Sequence, residues 1–316
     1  MASHAVKFKE ELKPGEKVPL CFDECAKIMF ANPKHMEPLI LLLSKVLRVE
    51  YDELVDKVEL APTTSRNNII GAKKTDRDIV VYIKEDIKGK IVIEVNMSES
   101  YYEAITNKSL YYMFETAGSG LKESENYDKI EPTFLICFNT FYVDNIHKKI
   151  FDEYYFRNDE GYILTTKEKI IEINIAACYQ SWYNGTYKAL TNIYEKDLLL
   201  LGAAMYTKEI KEFNKCIEEI MISRDIKNIV EEVSERMNEN EELKVRYYDF
   251  LEETRRLNDS IISDEKRKSR HEGLQEGIEQ TKKEIVLNMY NKKYDLSIIG
   301  DATNLSINEI NEIINH

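Results

Sequence analysis

The stretch Thr75–Met97, TDRDIVVYIKEDIKGKIVIEVNM, constrains the fold more than any other part of the chain. Asp78–Ile83 and Lys90–Asn96 are β-branched or alternating runs, and the polar Glu85–Gly89 between them is a turn signal, so the pattern predicts a β-hairpin. Side chains two apart on a strand share a face, which puts Glu94 and Asn96 together. If position 80 lies opposite 94 and 78 opposite 96, Asp78 joins them at one end of the hairpin, whereas a one-residue slip sends it to the other face. Two carboxylates and an amide on one patch suit Mg²⁺, a hard cation that takes carboxylate oxygens. Such an ion can activate water for phosphodiester cleavage. Taken alone, the spacing describes solvated charges on an edge hairpin better than it describes a metal site.

Length and charge narrow the choices. At 316 residues the chain holds two domains, or one large core with appendages. No apolar run approaches the ~20 residues that span a bilayer. The N-terminal MASHAVKFKEELKPGE lacks the apolar centre of a secretory signal, so a soluble cytoplasmic protein with no membrane partner is expected. Cys21, Cys25, Cys137, Cys178 and Cys216 have no zinc-framework spacing and read as reduced structural thiols. A net charge of −13 argues against indiscriminate nucleic-acid affinity but leaves room for a local basic groove.

Along the chain, residues 1–17 read as a loose leader, and Val18–Phe30 opens a helical segment with Asp23 and Lys27 four apart. That pair is a surface contact, or it brings Asp23 towards the hairpin as a further acid. Pro38–Leu47 is a buried helix with proline in its first turn, Val58–Leu60 a strand and Pro62–Asn68 a loop. Tyr101–Thr116 reads as a helix carrying Lys108 beside Tyr111 and Tyr112, and Phe134–Phe138 as a buried strand. A second hairpin is expected from Asp152–Phe156 with Ile163 or Lys169–Ile175, through a turn at Asn158–Gly161. This order predicts an α/β core with a mixed sheet.

From Cys178 to Asn258 the spacing is helical, with Trp182 as a core anchor. Residues 263–286 are highly charged, with Gly273 and Gly277 on one stripe and a basic cluster at Lys266, Arg267, Lys268 and Arg270 that reads as a solvated face. The tail divides into short helices around Ile285–Tyr290, Leu296–Ala302 and Ile307–Ile314. Ser306 and Glu309 form a capping box before the last, giving a small helix-turn-helix-like unit whose face is too acidic for a good DNA reader. The domains expected are therefore the leader at 1–17, a core at 18–177, a helical extension at 178–260 and a charged helix with small tail at 261–316.

Several pieces combine into a pattern. FDECAKIMF at 22–30, the hairpin with Asp78, Glu94 and Asn96, KSLYY at 108–112 and YDKIEPTFLICF at 127–138 come in order. They are followed by the FRNDEG hairpin, ENEELKVRYYDFLEETRRLND at 239–259, EGLQEG and LSIIGDATNLSINEINEII. From about residue 18 onward the chain resembles the PD-(D/E)xK nuclease superfamily, and within it the recombination-promoting nuclease or transposase-like proteins. The resemblance implies a restriction-endonuclease-like mixed sheet flanked by helices with a helical C-terminal region, and a Mg²⁺- or Mn²⁺-dependent DNA endonuclease. Asp78 and Glu94 then look like the metal-binding acids, with Asp23 a third. The position two after Glu94 is similar to a Lys in the superfamily and a Gln in this branch; here it is Asn96, which can hydrogen-bond water but carries no charge. Lys108 is the better substitute cation, because Lys90, on the same strand as Glu94, lies roughly 13 Å from it.

Two functions are weighed on these residues. In the first, a metal on Asp78 and Glu94 supports hydrolysis of DNA, Asn96 orients the water and Lys108 supplies charge. In the second, the chain is a catalytically degenerate nuclease-like module that binds DNA or a partner. A third, purely structural reading is an oligomerisation protein built on the 240–316 helices, which requires a passive core; a homo-oligomer through the C-terminal helices is also the partner expected beside DNA.

Overall fold

The structure, a computed structural model, describes residues 12–63, 78–84, 88–97, 102–118, 126–142 and 149–315, with backbone alone at 102–105, 257–276, 278 and 315. The expected turn at 85–87, most of the loop at 62–68 and the side chains of the Lys266–Arg270 cluster lie outside the described residues.

Six strands form one mixed sheet: β1 (Val58–Ala61), β2 (Ile79–Ile83), β3 (Gly89–Asn96), β4 (Thr133–Asn139), β5 (Phe151–Tyr154) and β6 (Glu168–Asn174), in the order β1-β2-β3-β4-β6-β5. β3, β4 and β6 run parallel, and the other pairings are antiparallel. The predicted hairpin is β2–β3, but it is not an edge. β1 covers one side, β4 covers the other, and β3 is buried along almost its whole length. Its unbroken β-branched run therefore fits a central strand enclosed on both faces.

The two faces divide the core by parity. Ile91, Ile93 and Val95 of β3 join Ile136, Phe138, Ile171 and Ile173 in the main core. That core also takes in α1 (Asp23–Phe30), α2 (Glu37–Leu47), α5 (Ile175–Tyr183) and α6 (Ile193–Tyr206). Val92, Leu135, Cys137 and Ile170 point the other way, onto Met113 and Leu110 of α4 (Tyr102–Gly118). α7 (Ile210–Glu219) and α8 (Arg224–Glu239) extend the main core, with a four-residue α3 (Tyr51–Leu54) between α2 and β1. All five cysteines are buried and free, as expected.

Three local expectations shift for identifiable reasons. The helix expected from Val18 starts at Asp23, because a turn precedes it, with Phe22 N–H on the Pro19 carbonyl and Phe22 itself extended, and Cys21 N–H donates to the Met205 carbonyl across the core. β6 stops at Asn174 instead of Ile175, because the Asn174 side chain accepts from Ala177 N–H at 2.8 Å and so caps α5. Ile163 contributes only an isolated bridge to Arg157 around the predicted Asn158–Gly161 turn. The segment expected as a loose leader is anchored where it is described. Glu16 bridges to Glu209, and Lys17 is buried with its backbone N–H on the Lys208 carbonyl.

The chain divides into two compact units, Met1–Leu251 and Glu252–His316. There is no break at 177, since α5 and α6 bury the sheet's own core. The two helices meet at Gly202, where an added Cβ would lie 2.7 Å from Cys178 Sγ and 3.0 Å from its Cβ. Gly202→Ala should therefore destabilise the fold by about 1–2 kcal/mol in urea titrations, overpacking outweighing the gain in helix propensity. An unchanged midpoint would mean that the crossing can widen freely.

α9 (Glu241–Asn291), whose first residues belong to the first unit, ends beyond Ile285–Tyr290 in the second, so those residues finish a long helix instead of forming a short one. α10 (Leu296–Thr303) and α11 (Ile307–Asn315) follow, and Val286, Ile299 and Ile310 make a small core. The capping box is present in both halves: Ser306 N–H donates to Glu309 Oε2 at 2.7 Å, and Glu309 N–H donates to Ser306 Oγ at 3.4 Å.

Candidate active site

The register of β2 on β3 pairs Ile79 with Ile93 and Val80 with Val92. Continued by one residue, it sets Asp78 opposite Glu94. The pairing expected from the sequence, 78 with 96 and 80 with 94, is off by two residues. A two-residue shift preserves the face, so the acid pair survives and becomes tighter. Backbone amides fix both carboxylates: Val95 N–H donates to Asp78 Oδ2 at 3.0 Å, and Asp78 N–H donates to Glu94 Oε1 at 3.3 Å.

Each acid also faces a lysine. Lys108, from α4, lies 2.6 Å from Glu94 Oε2 and 5.3 Å from the centroid of the Tyr112 ring. The stripe read on that helix thus places its cation on the acid. Lys27 lies 2.9 Å from Asp23 Oδ2 and 3.4 Å from Asp78 Oδ1, bridging α1 to the hairpin. The sequence showed the Asp23–Lys27 spacing, but only the packing of α1 on β3 makes Lys27 part of the site. Lys90 takes no part: it is buried and donates to the Thr116 carbonyl at 3.2 Å, at the C-terminal end of α4, where a cation is favoured.

Burial dominates the electrostatics. Glu94 is 1% exposed, which rules out a solvated charge. Asp78 is pushed up to about 7 by burial first, then by the charges of Glu94 and Asp23. Glu94 is raised too, burial outweighing the pull of Lys108. Burial opposes the charges on Lys27 and Lys108, but their acidic partners outweigh it and lift both above the ordinary lysine value. Two buried carboxylates held face to face repel each other, and a cation between them relieves that repulsion.

Asn96 continues the same face at the end of β3. It aligns with Asn139 of β4 and, through that strand, with Asn174 of β6. Asn96 Nδ2 donates to Asn139 Oδ1 at 2.8 Å, leaving one N–H and the carbonyl oxygen of its amide for another partner. Nothing in the sequence around Asn139 marked it; the row of asparagines is a product of register. Among the described residues no three His, Cys, Asp or Glu side chains converge at metal-ligand spacing, so Asp23 lies close to the pair without completing a three-acid cluster.

A family model described as PD-(D/E)XK nuclease family transposase matches residues 22–264, which include every residue of this site. The chain belongs to that family. No curated protein and no solved structure matches the chain. Membership of the PD-(D/E)XK nuclease family carries a nuclease-like function with DNA as the implied substrate class, and the mixed six-stranded sheet agrees with the family's fold. Among the described residues of this family member no helix is long and apolar enough to cross a membrane.

A second acidic pair sits on the same face of this nuclease-family sheet. Glu172 of β6 is level with Glu94 across Cys137 and lies opposite Asp152 of β5. Burial, then the Asp152 charge, raises Glu172 to about 7. Because the folded state holds the proton more tightly than the unfolded chain, the stability from that proton is complete below about pH 4.5 and is lost as pH rises through about 7. Glu172→Gln should match the native protein near pH 5 and exceed it by about 1–3 kcal/mol near pH 8 in denaturant titrations. Parallel pH curves for the two proteins would show that Glu172 ionises freely in the fold.

Proposed function

We propose that this protein is a metal-dependent DNA endonuclease whose centre is Asp78 and Glu94. The observation that carries the reading is the register that sets the part-buried Asp78 opposite the buried Glu94 on a central hairpin. The donor set is all oxygen and electrostatically short of positive charge, which fits Mg²⁺ or Mn²⁺ better than a softer ion. Asp78 and Glu94 would hold the ion, with Asp23 close enough to contribute through its charge. When bound, it would polarise the phosphate and lower the pKa of a water.

The chain's own residues supply the rest. Backbone N–H groups of Asp78 and Val95 lock the carboxylates in place, so little reorganisation is needed on binding. Lys108 presents a fixed positive charge beside Glu94, where negative charge builds on the phosphate, and so takes the part that a lysine two residues after Glu94 would play. Asn96, steadied by Asn139, offers its free carbonyl oxygen to orient the attacking water.

The test is cleavage of supercoiled plasmid by the full chain in millimolar Mg²⁺ or Mn²⁺, with nicked and linear products expected and none in excess chelator. Intact plasmid across salts, metals and DNA forms would defeat the reading. One observation favours the second function: Lys27 and Lys108 each already pair with an acid of the site and offset part of its charge, an arrangement that also suits a degenerate nuclease fold kept for binding DNA or a partner.

A further inference from the structure

A cleft of about 610 Å³ opens where the end of α5, a 3₁₀ turn at Thr186–Ala189 and α7 meet, a volume typical of ligand sites. Its walls combine Trp182, Tyr183 and Tyr187 with Lys188, Lys211 and Lys215. Lys215 lies 5.5 Å from the Trp182 ring centroid and Lys188 5.9 Å from that of Tyr187. The carboxylates here are turned to hydroxyls: Glu212 accepts from Tyr179 and Thr207, and Glu219 accepts from Tyr187. The three lysines are exposed, and among the described residues none of them has an ion-pair partner. In a chain of net charge −13, such a concentration of uncommitted cations around aromatic rings is complementary to a polyanion with flat faces.

A second concavity leads from the cleft towards the ends of β3 and β4. This concavity of about 380 Å³ shares Glu212 with the cleft and is lined by Tyr179, Tyr206 and Lys208, together with Met97 and Thr140. Met97 directly follows Asn96 at the end of β3, the strand that bears Glu94, and Thr140 directly follows Asn139 at the end of the neighbouring β4. Tyr206 and Tyr179 are 5.5 Å apart by ring centroids, and Tyr179 and Tyr183 stack at 5.9 Å. A row of rings therefore runs from the end of β3 to the Trp182 cleft, and Tyr183 at its far end is 67% exposed, with a ring face free for stacking.

We propose that this cleft and the ring path hold an unpaired stretch of the DNA strand on which the acid pair acts, phosphates against Lys211 and Lys215 and a base against Tyr183. The inference rests on the endonuclease reading for the identity of the strand, but its surface is separate from the acids. A duplex buries its base faces in the stack, so only an unpaired base can lie on a tyrosine ring within a concavity.

Trp182 is the sole tryptophan of the chain, so its fluorescence reports this cleft alone. The full chain, in chelator to prevent cleavage, is titrated with a labelled thymidylate oligonucleotide while label anisotropy and tryptophan emission are followed together. Quenching should track the anisotropy. The double variant Lys211→Ala/Lys215→Ala should bind about tenfold more weakly at ~100 mM salt, with a salt slope smaller by about 1.4. Tyr183→Ala should weaken binding by about tenfold without changing that slope. A blunt duplex should leave the emission unchanged. Strand binding with silent Trp182, native-like binding by the double variant at retained circular dichroism, or equal quenching by thymidine monophosphate at the same nucleotide concentration would each overturn the proposal. If the strand binds and quenches but plasmid stays intact, the endonuclease reading fails while the binding path stands. If plasmid is cut while Trp182 stays silent, the reverse holds.

Discussion

Asp78→Asn and Glu94→Gln should each lower the rate of plasmid nicking in Mg²⁺ by on the order of 10²–10³-fold. Both replacements keep the shape of the side chain and an oxygen for the backbone N–H that now reaches it, Val95 for Asp78 and Asp78 for Glu94. What they remove is the charge that would hold a divalent cation. Removing it also relieves a repulsion, because burial and the facing acid already penalise ionisation of Asp78, and burial penalises that of Glu94. The variants should therefore lose activity while melting no lower than the native protein near pH 8. That combination separates a catalytic role from a structural one, since a misfolded variant would lose both. Metal binding measured by calorimetry should disappear alongside the activity. Full nicking by either variant would remove the acid pair from the chemistry and leave the binding function as the better account.

The largest effect on stability is expected where α2 meets α6. Lys45 and Asp197 form an ion pair at 2.9 Å, with Asp197 wholly buried and Lys45 nearly so. The pair also closes the turn after α7: Met221 N–H donates to Asp197 Oδ1 at 3.2 Å, and Lys45 Nζ donates to the Met221 carbonyl at 3.4 Å. Removing one partner strands the other charge in a low-dielectric core, so Asp197→Ala or Lys45→Met should each cost about 3–5 kcal/mol. Replacing both, as Lys45→Met with Asp197→Leu, should recover most of that loss and leave a deficit of about 1–2 kcal/mol from the abandoned Met221 groups. Urea titrations of the four proteins give the coupling directly. Single variants within ~1 kcal/mol of native would mean that water reaches the pair.

How much of the site was legible depends on the range of each interaction. Strand parity is local, so the sequence alone placed Glu94 and Asn96 on one face, and any even register would have added Asp78. The spacing of Asp23 and Lys27, or of Lys108 and Tyr112, is likewise a property of one helix. The ionic partners of these groups were not legible in that way. Lys27 meets Asp78 only because α1 packs against β3, and Asn139 meets Asn96 only because β4 joins the sheet in parallel at that register. The expected domain edge at 177 failed for a similar reason: a change from strand to helical periodicity marks a change of element, while α5 and α6 remain part of the same core.

By itself, the sequence determined the elements and their chemistry: a hairpin carrying two acids, a helix presenting a lysine, a buried strand, a capping box before the last helix and a family resemblance carried by their order, which the family model bears out. Tertiary structure decided the rest. It made the hairpin central, set Asp78 opposite Glu94 instead of Asn96, buried Glu94 and part-buried Asp78, and brought lysines from two helices onto them. Periodicity and capping are written within a few residues of one another. Register, burial and the field at a carboxylate depend on which distant surfaces exclude water together, and no local pattern contains that information.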